Sequence, residues 1–212
     1  MTIARRDFLL GSLGALAAPT IARAAVEERL PAPQAQIYML RGLFGIFSLG
    51  IDTLAGKLRA EGFEPTILGW EQWGIASNAI LADHRSGGSG HIILIGHSLG
   101  SDSTIQIASS VMAENVPIDL IVTFDITQPL AVPANVVRFI NFFQHNGVGR
   151  PAVPGPGFVG QLSNVDLSND HSLDHLNIDE SEKLQRLVVN NVFNVTFQQT
   201  RDVPTRRRTK VL

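Results

Sequence analysis

HIILIGHSLG, residues 91–100, is the stretch of this sequence that decides the fold. Its four consecutive apolar residues, 92–95, are typical of a strand buried on both faces of a parallel sheet. Gly96-His97-Ser98-Leu99-Gly100 then fits the pattern G-x-S-x-G. Residues 101–113 predict a helix, because apolar residues recur every three or four positions, at Ile105, Ala108, Val111 and Met112. The stretch therefore predicts a strand, a sharp turn and a helix, with a serine at the turn.

The chemistry of a nucleophilic serine explains why this turn contains two glycines. A serine hydroxyl is a poor nucleophile unless it is exposed and a base can reach it. A sharp strand-to-helix turn lifts Ser98 above the sheet edge, and Gly96 and Gly100 have no Cβ atoms to collide there. The N–H of Leu99 then points to where negative charge develops on a substrate oxygen. The alternative interpretation is a glycine-rich turn in which Ser98 has no role.

Asp125 is the candidate for a carboxylate at the same edge of the sheet. IDLIVTF, residues 118–124, predicts the next buried strand, and Asp125 follows its carboxyl end, where open α/β sheets place their sites. A later strand, predicted over 136–143, ends in polar residues without an acid, which favours Asp125. The alternatives are that Asp125 only caps a turn, or that the acid is Asp166 or Asp170.

These motifs resemble those of the α/β-hydrolase superfamily, and GHSLG is most similar to its lipase, esterase and thioesterase members. VTFDIT, residues 122–127, resembles a subset of lipases in which the acid follows the strand after the nucleophile. The resemblance covers most of residues 36–195. It implies a three-layer fold, with a mostly parallel sheet and helices on both faces. The sequence itself has no long amphipathic segment typical of a large lid, so we expect a small form of the fold.

The resemblance also implies a catalytic histidine on the loop before the last helix, which we expect over 179–190. HLNID, residues 175–179, resembles the H-x-x-I-D pattern that enters this helix, so His175 is the expected base and His171 the alternative. Ser98, Asp125 and His175 would then form a triad in the chain order that the family uses.

A second oxyanion donor is implied by the loop after the first central strand, QIYML at residues 36–40. Arg41 stands where the family often has a histidine, but the donor is a backbone N–H, so the difference is tolerable. The resemblance assigns this donor to Leu43, with Phe44 as the alternative, and the first donor to Leu99. An ordinary glycine turn remains the other interpretation of the loop.

Composition excludes several other classes of protein. The chain has 212 residues, a net charge of −2 and no cysteine, so a disulfide framework and a thiolate site are excluded. The six histidines form no metal-binding pattern, and we expect neither a metal nor an organic cofactor. Only Arg206-Arg207-Arg208 is strongly basic, which is more typical of a solvated tail than of nucleic-acid binding.

The N-terminus predicts an export signal. Arg5-Arg6 followed by the apolar stretch 8–18 resembles a twin-arginine signal, and Ala22-Arg23-Ala24 fits a cleavage site. The apolar stretch is shorter than the roughly 20 residues that span a bilayer, which disfavours a membrane anchor. We therefore expect a cleaved signal over 1–24, and a single periplasmic or extracellular domain over 25–212 without stable membrane insertion.

The sequence thus predicts a secreted serine hydrolase that cleaves a small-molecule carboxylic ester or thioester through an acyl-enzyme. One alternative is a hydrolase-like protein of the cell envelope that only binds its ligand. Another is an envelope-associated interaction protein that uses the basic tail and the Pro/Gly-rich loop 146–160. That loop either borders the active site or is a plain connector. Chain length of the acyl group, leaving group and oligomeric state stay open.

Overall fold

A computed structural model describes residues 35–43 and 49–198. The predicted signal, Phe44 and the basic tail lie outside the described residues. The strands are β1 (Ala35–Arg41), β2 (Thr66–Gly69), β3 (His91–His97), β4 (Leu120–Phe124), β5 (Ala131–Val132), β6 (Arg138–Phe143), β7 (Val153–Pro154) and β8 (Gln161–Asp166). The helices are α1 (Leu49–Ala60), α2 (Trp73–Arg85), α3 (Leu99–Val111) and α4 (Glu182–Gln198), with 3₁₀ turns at Trp70–Gln72, Met112–Glu114 and Ile178–Glu180.

Six strands form one parallel sheet in the order β2-β1-β3-β4-β6-β8. The two short strands β5 and β7 pair separately, also in parallel. The predicted parallel α/β sheet is therefore confirmed. Strand β3 is central and almost wholly buried, as its uninterrupted apolar run predicts.

Apolar side chains of alternate strand residues enter two cores, one on each face of the sheet. Ile37 and Met39 of β1 join the cluster that contains residues of α1 and α4. Tyr38 and Leu40 of the same strand join the cluster that contains residues of α2 and α3. Successive side chains of a strand point to opposite faces, so helices cover both faces of this sheet.

Two local predictions were wrong. Met112 is 42 % exposed in the 3₁₀ turn that follows α3, and Ile107 is buried within the helix instead. The last helix begins at Glu182 rather than at residue 179, because residues 178–180 form a separate 3₁₀ turn. That turn buries Ile178 and Asp179 completely, which a regular helix start on the surface would not do.

The sheet has a topological switch point between β1 and β3. These neighbouring strands lead into α1 and α3, which lie on opposite faces of the sheet. Open α/β sheets bind ligands outside the carboxyl ends of the strands at such a switch point. Within residues 35–43 and 49–198, no helix combines the length and the apolarity that crossing a membrane requires.

Candidate active site

Ser98 lies at the carboxyl end of β3, immediately before the first residue of α3. Its backbone has φ 57° and ψ −127°, a left-handed conformation that costs energy for a residue other than glycine. A Cβ on Gly96 would lie 2.4 Å from the Gly100 carbonyl oxygen, and one on Gly100 would lie 2.2 Å from the Leu40 carbonyl oxygen. Both glycines are therefore required by the close approach of strand, turn and helix.

Three side chains meet at this turn. The Oγ of Ser98 lies 2.9 Å from Nε2 of His175, and Nδ1 of His175 lies 3.0 Å from Oδ2 of Asp125. A neutral imidazole that donates its Nδ1–H to the carboxylate presents Nε2 as an acceptor to the serine hydroxyl. The three residues that the sequence analysis selected are thus joined by one continuous set of hydrogen bonds.

Asp125 is held from several sides. Its side chain is 1 % exposed, and its backbone φ of 54° is again left-handed. Its Oδ1 accepts a hydrogen bond of 3.0 Å from the Gln144 N–H, and its own N–H donates to the Phe142 carbonyl at 2.8 Å. A Cβ on Gly149 would lie 2.1 Å from Oδ1, so the Pro/Gly-rich loop packs directly on this carboxylate.

Gln144 connects Asp125 to the loop that carries His175. While its backbone N–H binds Asp125, its buried side-chain amide lies 3.0 Å from the Leu173 carbonyl oxygen and 3.3 Å from those of Leu167 and Asp170. These carbonyls belong to the loop between β8 and His175. The sequence analysis assigned no role to Gln144.

The alternative residues lie elsewhere. His171 is exposed, on the loop that leads to His175. Asp166 accepts hydrogen bonds from Ser168, which lower the pKa of the carboxyl to about 2, with a smaller contribution from His145. Asp170 accepts hydrogen bonds from the N–H and hydroxyl of Ser172, which lower its pKa. Neither carboxylate has a hydrogen bond to His175 among the described residues.

The two expected oxyanion donors flank the switch point. Leu99 is the first residue of α3, where backbone N–H groups have no partner within the helix. Leu43 lies in the turn after β1, is 44 % exposed, and stands three residues beyond Leu40, which is paired in register with Gly96. Arg41 binds Asp52 of α1 through two guanidinium nitrogens, which ties the end of β1 to the following helix.

Asp102 holds the loop after β4 against the start of α3. Its carboxylate accepts hydrogen bonds from the N–H and the hydroxyl of Thr127, two residues beyond Asp125. Burial raises the pKa of Asp102, and the hydrogen bonds of Thr127 oppose that shift. The helix of the serine and the loop of the acid are therefore fixed to each other.

His97 is a residue of this site to which the sequence analysis assigned no role. Its ring is 1 % exposed, and its Nε2 lies 2.7 Å from the carbonyl oxygen of His175. A signal was present in the sequence: His97 ends a strand that is otherwise apolar, and a buried polar group needs a partner. The partner lies 78 residues later, so no local pattern names it.

Within the part of the chain that the structure describes, no group of three or more histidine, aspartate and glutamate side chains is arranged to hold a metal ion. The sequence matches no protein-family model, and a search of curated proteins gives no significant match. Any inference about function therefore depends on the geometry of the site.

Proposed function

We propose that this protein is a serine hydrolase of the α/β-hydrolase type, which cleaves carboxylic esters or thioesters. The observation that carries the proposal is the hydrogen-bonded series Ser98 Oγ, His175 imidazole, Asp125 carboxylate. The strained strand-to-helix turn at Ser98 and the chain order Ser98, Asp125, His175 are both features of that superfamily.

The proposed reaction begins with attack of Ser98 Oγ on the substrate carbonyl carbon. His175 Nε2 takes the hydroxyl proton, while Asp125 holds Nδ1–H and stabilises the imidazolium that forms. The N–H groups of Leu99 and Leu43 would bind the oxygen that becomes negative, a contribution of about 3 kcal/mol for a typical donor.

The tetrahedral intermediate then collapses to an acyl-enzyme. The carbon–oxygen or carbon–sulfur bond to the leaving group breaks, and that group receives the proton from His175. Water attacks the acyl carbon, again with His175 as base. The acid product and the free serine hydroxyl are released, so the cycle uses one ester or thioester and one water and needs no other reactant.

Export by the twin-arginine route to the periplasm or the cell exterior is part of this proposal. It is supported by Arg5-Arg6, the short apolar stretch and Ala22-Arg23-Ala24. Replacing both arginines by lysine should retain the precursor inside the cell, measured by fractionation and immunoblotting. Unchanged export of the double variant would refute this route.

The test of the enzyme assignment is the variant Ser98→Ala. Purified protein should hydrolyse a p-nitrophenyl acyl ester and bind a fluorophosphonate probe covalently, and Ser98→Ala should lose both properties. Ser109→Ala is the matched control, because Ser109 lies on the exposed side of the same helix and its hydroxyl donates to the Ile105 carbonyl. Labelling that persists in a folded Ser98→Ala protein would refute the proposed nucleophile.

A further inference from the structure

A second pair of buried polar side chains lies beside His175. His97 is 1 % exposed and Asp179 is fully buried, and the His97 Nδ1 lies 3.8 Å from the Asp179 Oδ2. The rings of His97 and His175 have centroids 5.2 Å apart. Burying two polar groups costs free energy, so an apolar pair of similar size would satisfy packing alone at lower cost.

The contact of His97 fixes the position of its proton. A backbone carbonyl only accepts hydrogen bonds, so Nε2 of His97 must carry the proton that it donates to the His175 oxygen. Burial lowers the pKa of His97 to about 4, so the ring is neutral at pH 7 and Nδ1 is an acceptor. His97 thus holds the main chain of the very residue whose ring contacts Ser98.

Asp179 connects the same loop to the start of α1. Its Oδ2 accepts a hydrogen bond of 3.1 Å from the Ile51 N–H, and its Oδ1 has no hydrogen bond within the described residues. A Cβ on Gly50 would lie 2.3 Å from the Asp179 carbonyl carbon, so the two segments are in direct contact. The buried amide of Gln185 binds the carbonyls of both Gly50 and Asp179, at 3.1 and 2.7 Å.

These contacts join two parts of the proposed catalytic machinery. Helix α1 begins six residues after Leu43, the expected oxyanion donor, and Asp179 follows His175 by four residues. We infer that His97 and Asp179 are positioning residues, which lock the backbone of His175 to the carboxyl end of β3 and to the start of α1. This inference rests on the proposed hydrolase function. Neither residue touches the reacting atoms.

A positioning role predicts a specific kinetic signature. His97→Phe keeps a ring of similar size but has no N–H, so the His175 ring should lose its alignment with Ser98. A displacement of this kind is expected to lower kcat by about 10- to 100-fold, with KM changed less than about twofold. Asp179→Leu should act in the same direction, because Ile51 N–H then loses its acceptor.

Conservative variants should restore activity. His97→Gln retains an N–H donor, and Asp179→Asn retains an oxygen for Ile51 N–H, so each should keep kcat within about threefold of the wild type. His91→Phe is the matched control, because His91 is paired with Asp119 at the other end of the same strand, with Nδ1 3.1 Å from Oδ1. It should leave kcat unchanged.

The experiment measures kcat and KM for p-nitrophenyl butyrate on proteins shown to be folded by circular dichroism, and fluorophosphonate labelling of the wild type. If His97→Phe does not fold, His97→Asn replaces it, since its amide is too short to keep the 2.7 Å contact. The inference would be overturned if folded His97→Phe and Asp179→Leu variants had wild-type kcat, or if they raised KM without lowering kcat. A wild type that is not labelled would instead overturn the proposed function, and this inference with it.

Discussion

Two sets of serine, histidine and aspartate side chains lie at the carboxyl edge of this sheet. In the first, Asp125 and Ser98 contact opposite nitrogens of His175. In the second, Asp166 and Ser168 both contact Nδ1 of His145, at 2.6 and 2.9 Å, and Ser168 also donates to Asp166. The residue types are the same, but only the first set can pass a proton from hydroxyl to ring while the carboxylate stabilises the charge.

Burial separates the two sets as well. Asp125 is 1 % exposed on its side chain, whereas His145 and Asp166 are 66 % and 44 % exposed. A charge pair screened by water is worth little, while the same pair shielded from water acts strongly on a neighbour. The comparison shows that a serine, a histidine and an aspartate at one sheet edge are not enough for this chemistry. The serine and the aspartate must also contact different nitrogens of the imidazole.

The largest difference in kcat between the two sets should follow from replacing the carboxylate of each, Asp125 and Asp166. Asp125→Asn is expected to lower kcat by about 10³- to 10⁴-fold, because the amide no longer holds His175 in the reactive tautomer. Asp166→Asn is the matched control and should leave kcat within about twofold, since surface pairs contribute little. The measurement is steady-state hydrolysis of a p-nitrophenyl ester by both folded variants. Equal activities would mean that the acid of the site is not Asp125.

A smaller difference should follow from two glycines of one loop. Gly149→Ala places a methyl group where 2.1 Å separates it from Asp125 Oδ1, so the carboxylate must move and kcat should fall by about 10- to 100-fold. At Gly147 the nearest atom to an added Cβ is 3.7 Å away, an ordinary contact, so Gly147→Ala should be nearly neutral. Comparing kcat of the two variants shows whether the loop positions the acid. Equal kcat values would show that it only connects strands.

The sequence predicted most of the parallel sheet and the turn at Ser98, because both are written in local patterns. An uninterrupted apolar run predicts β3, and two glycines around a serine predict the close approach of strand and helix. The choice of Asp125 followed from its place at the end of one predicted strand and from the absence of an acid at the end of the later strand.

The remaining parts of the site depend on contacts that are distant in sequence. His175 and His171 lie in the same loop, and only a resemblance to the H-x-x-I-D pattern favoured His175 in the sequence. In the structure, His175 contacts Ser98 and Asp125, which lie 77 and 50 residues away along the chain. His97 and Asp179 find their partners across 78 and 128 residues. The 3₁₀ turn that buries Asp179 also had no local signal, since acidic residues are typical of an exposed helix start.

His97 and Asp179 form a further pair of a histidine and an aspartate, in which both side chains are buried. This pair can be compared with the exposed pair of His145 and Asp166. Beside an exposed histidine, hydrogen bonds lower the pKa of Asp166 to about 2, whereas burial raises the pKa of Asp179 to about 7. Asp179 faces His97 from β3, His175 and Glu180 from its own segment, and the Ile51 N–H from α1. The two carboxyls should therefore affect stability in opposite directions as pH changes.

Whether stability rises or falls with pH depends on which state, folded or unfolded, binds more protons. Between about pH 4 and 7, folded Asp179 keeps a proton that the unfolded chain has lost, so its contribution to stability falls as pH rises. Burial lowers the pKa of His97 to about 4, so between about pH 4 and 6.5 its contribution to stability rises with pH. In the wild type, the opposite pH dependences of Asp179 and His97 largely cancel.

Asp179→Asn removes the pH dependence of stability that Asp179 contributes and leaves the one that His97 contributes. Its free energy of unfolding should rise relative to the wild type from pH 4 to 7, by roughly 4 kcal/mol for a pKa raised from 3.8 to about 7, and stay level above pH 7. Asp166→Asn should instead match the wild type at pH 2 and fall below it as pH rises through 4, since that carboxylate is stabilising only when ionised. Urea unfolding at several pH values measures both. A constant offset of Asp179→Asn across this range would mean that Asp179 is ionised throughout and that burial does not raise its pKa.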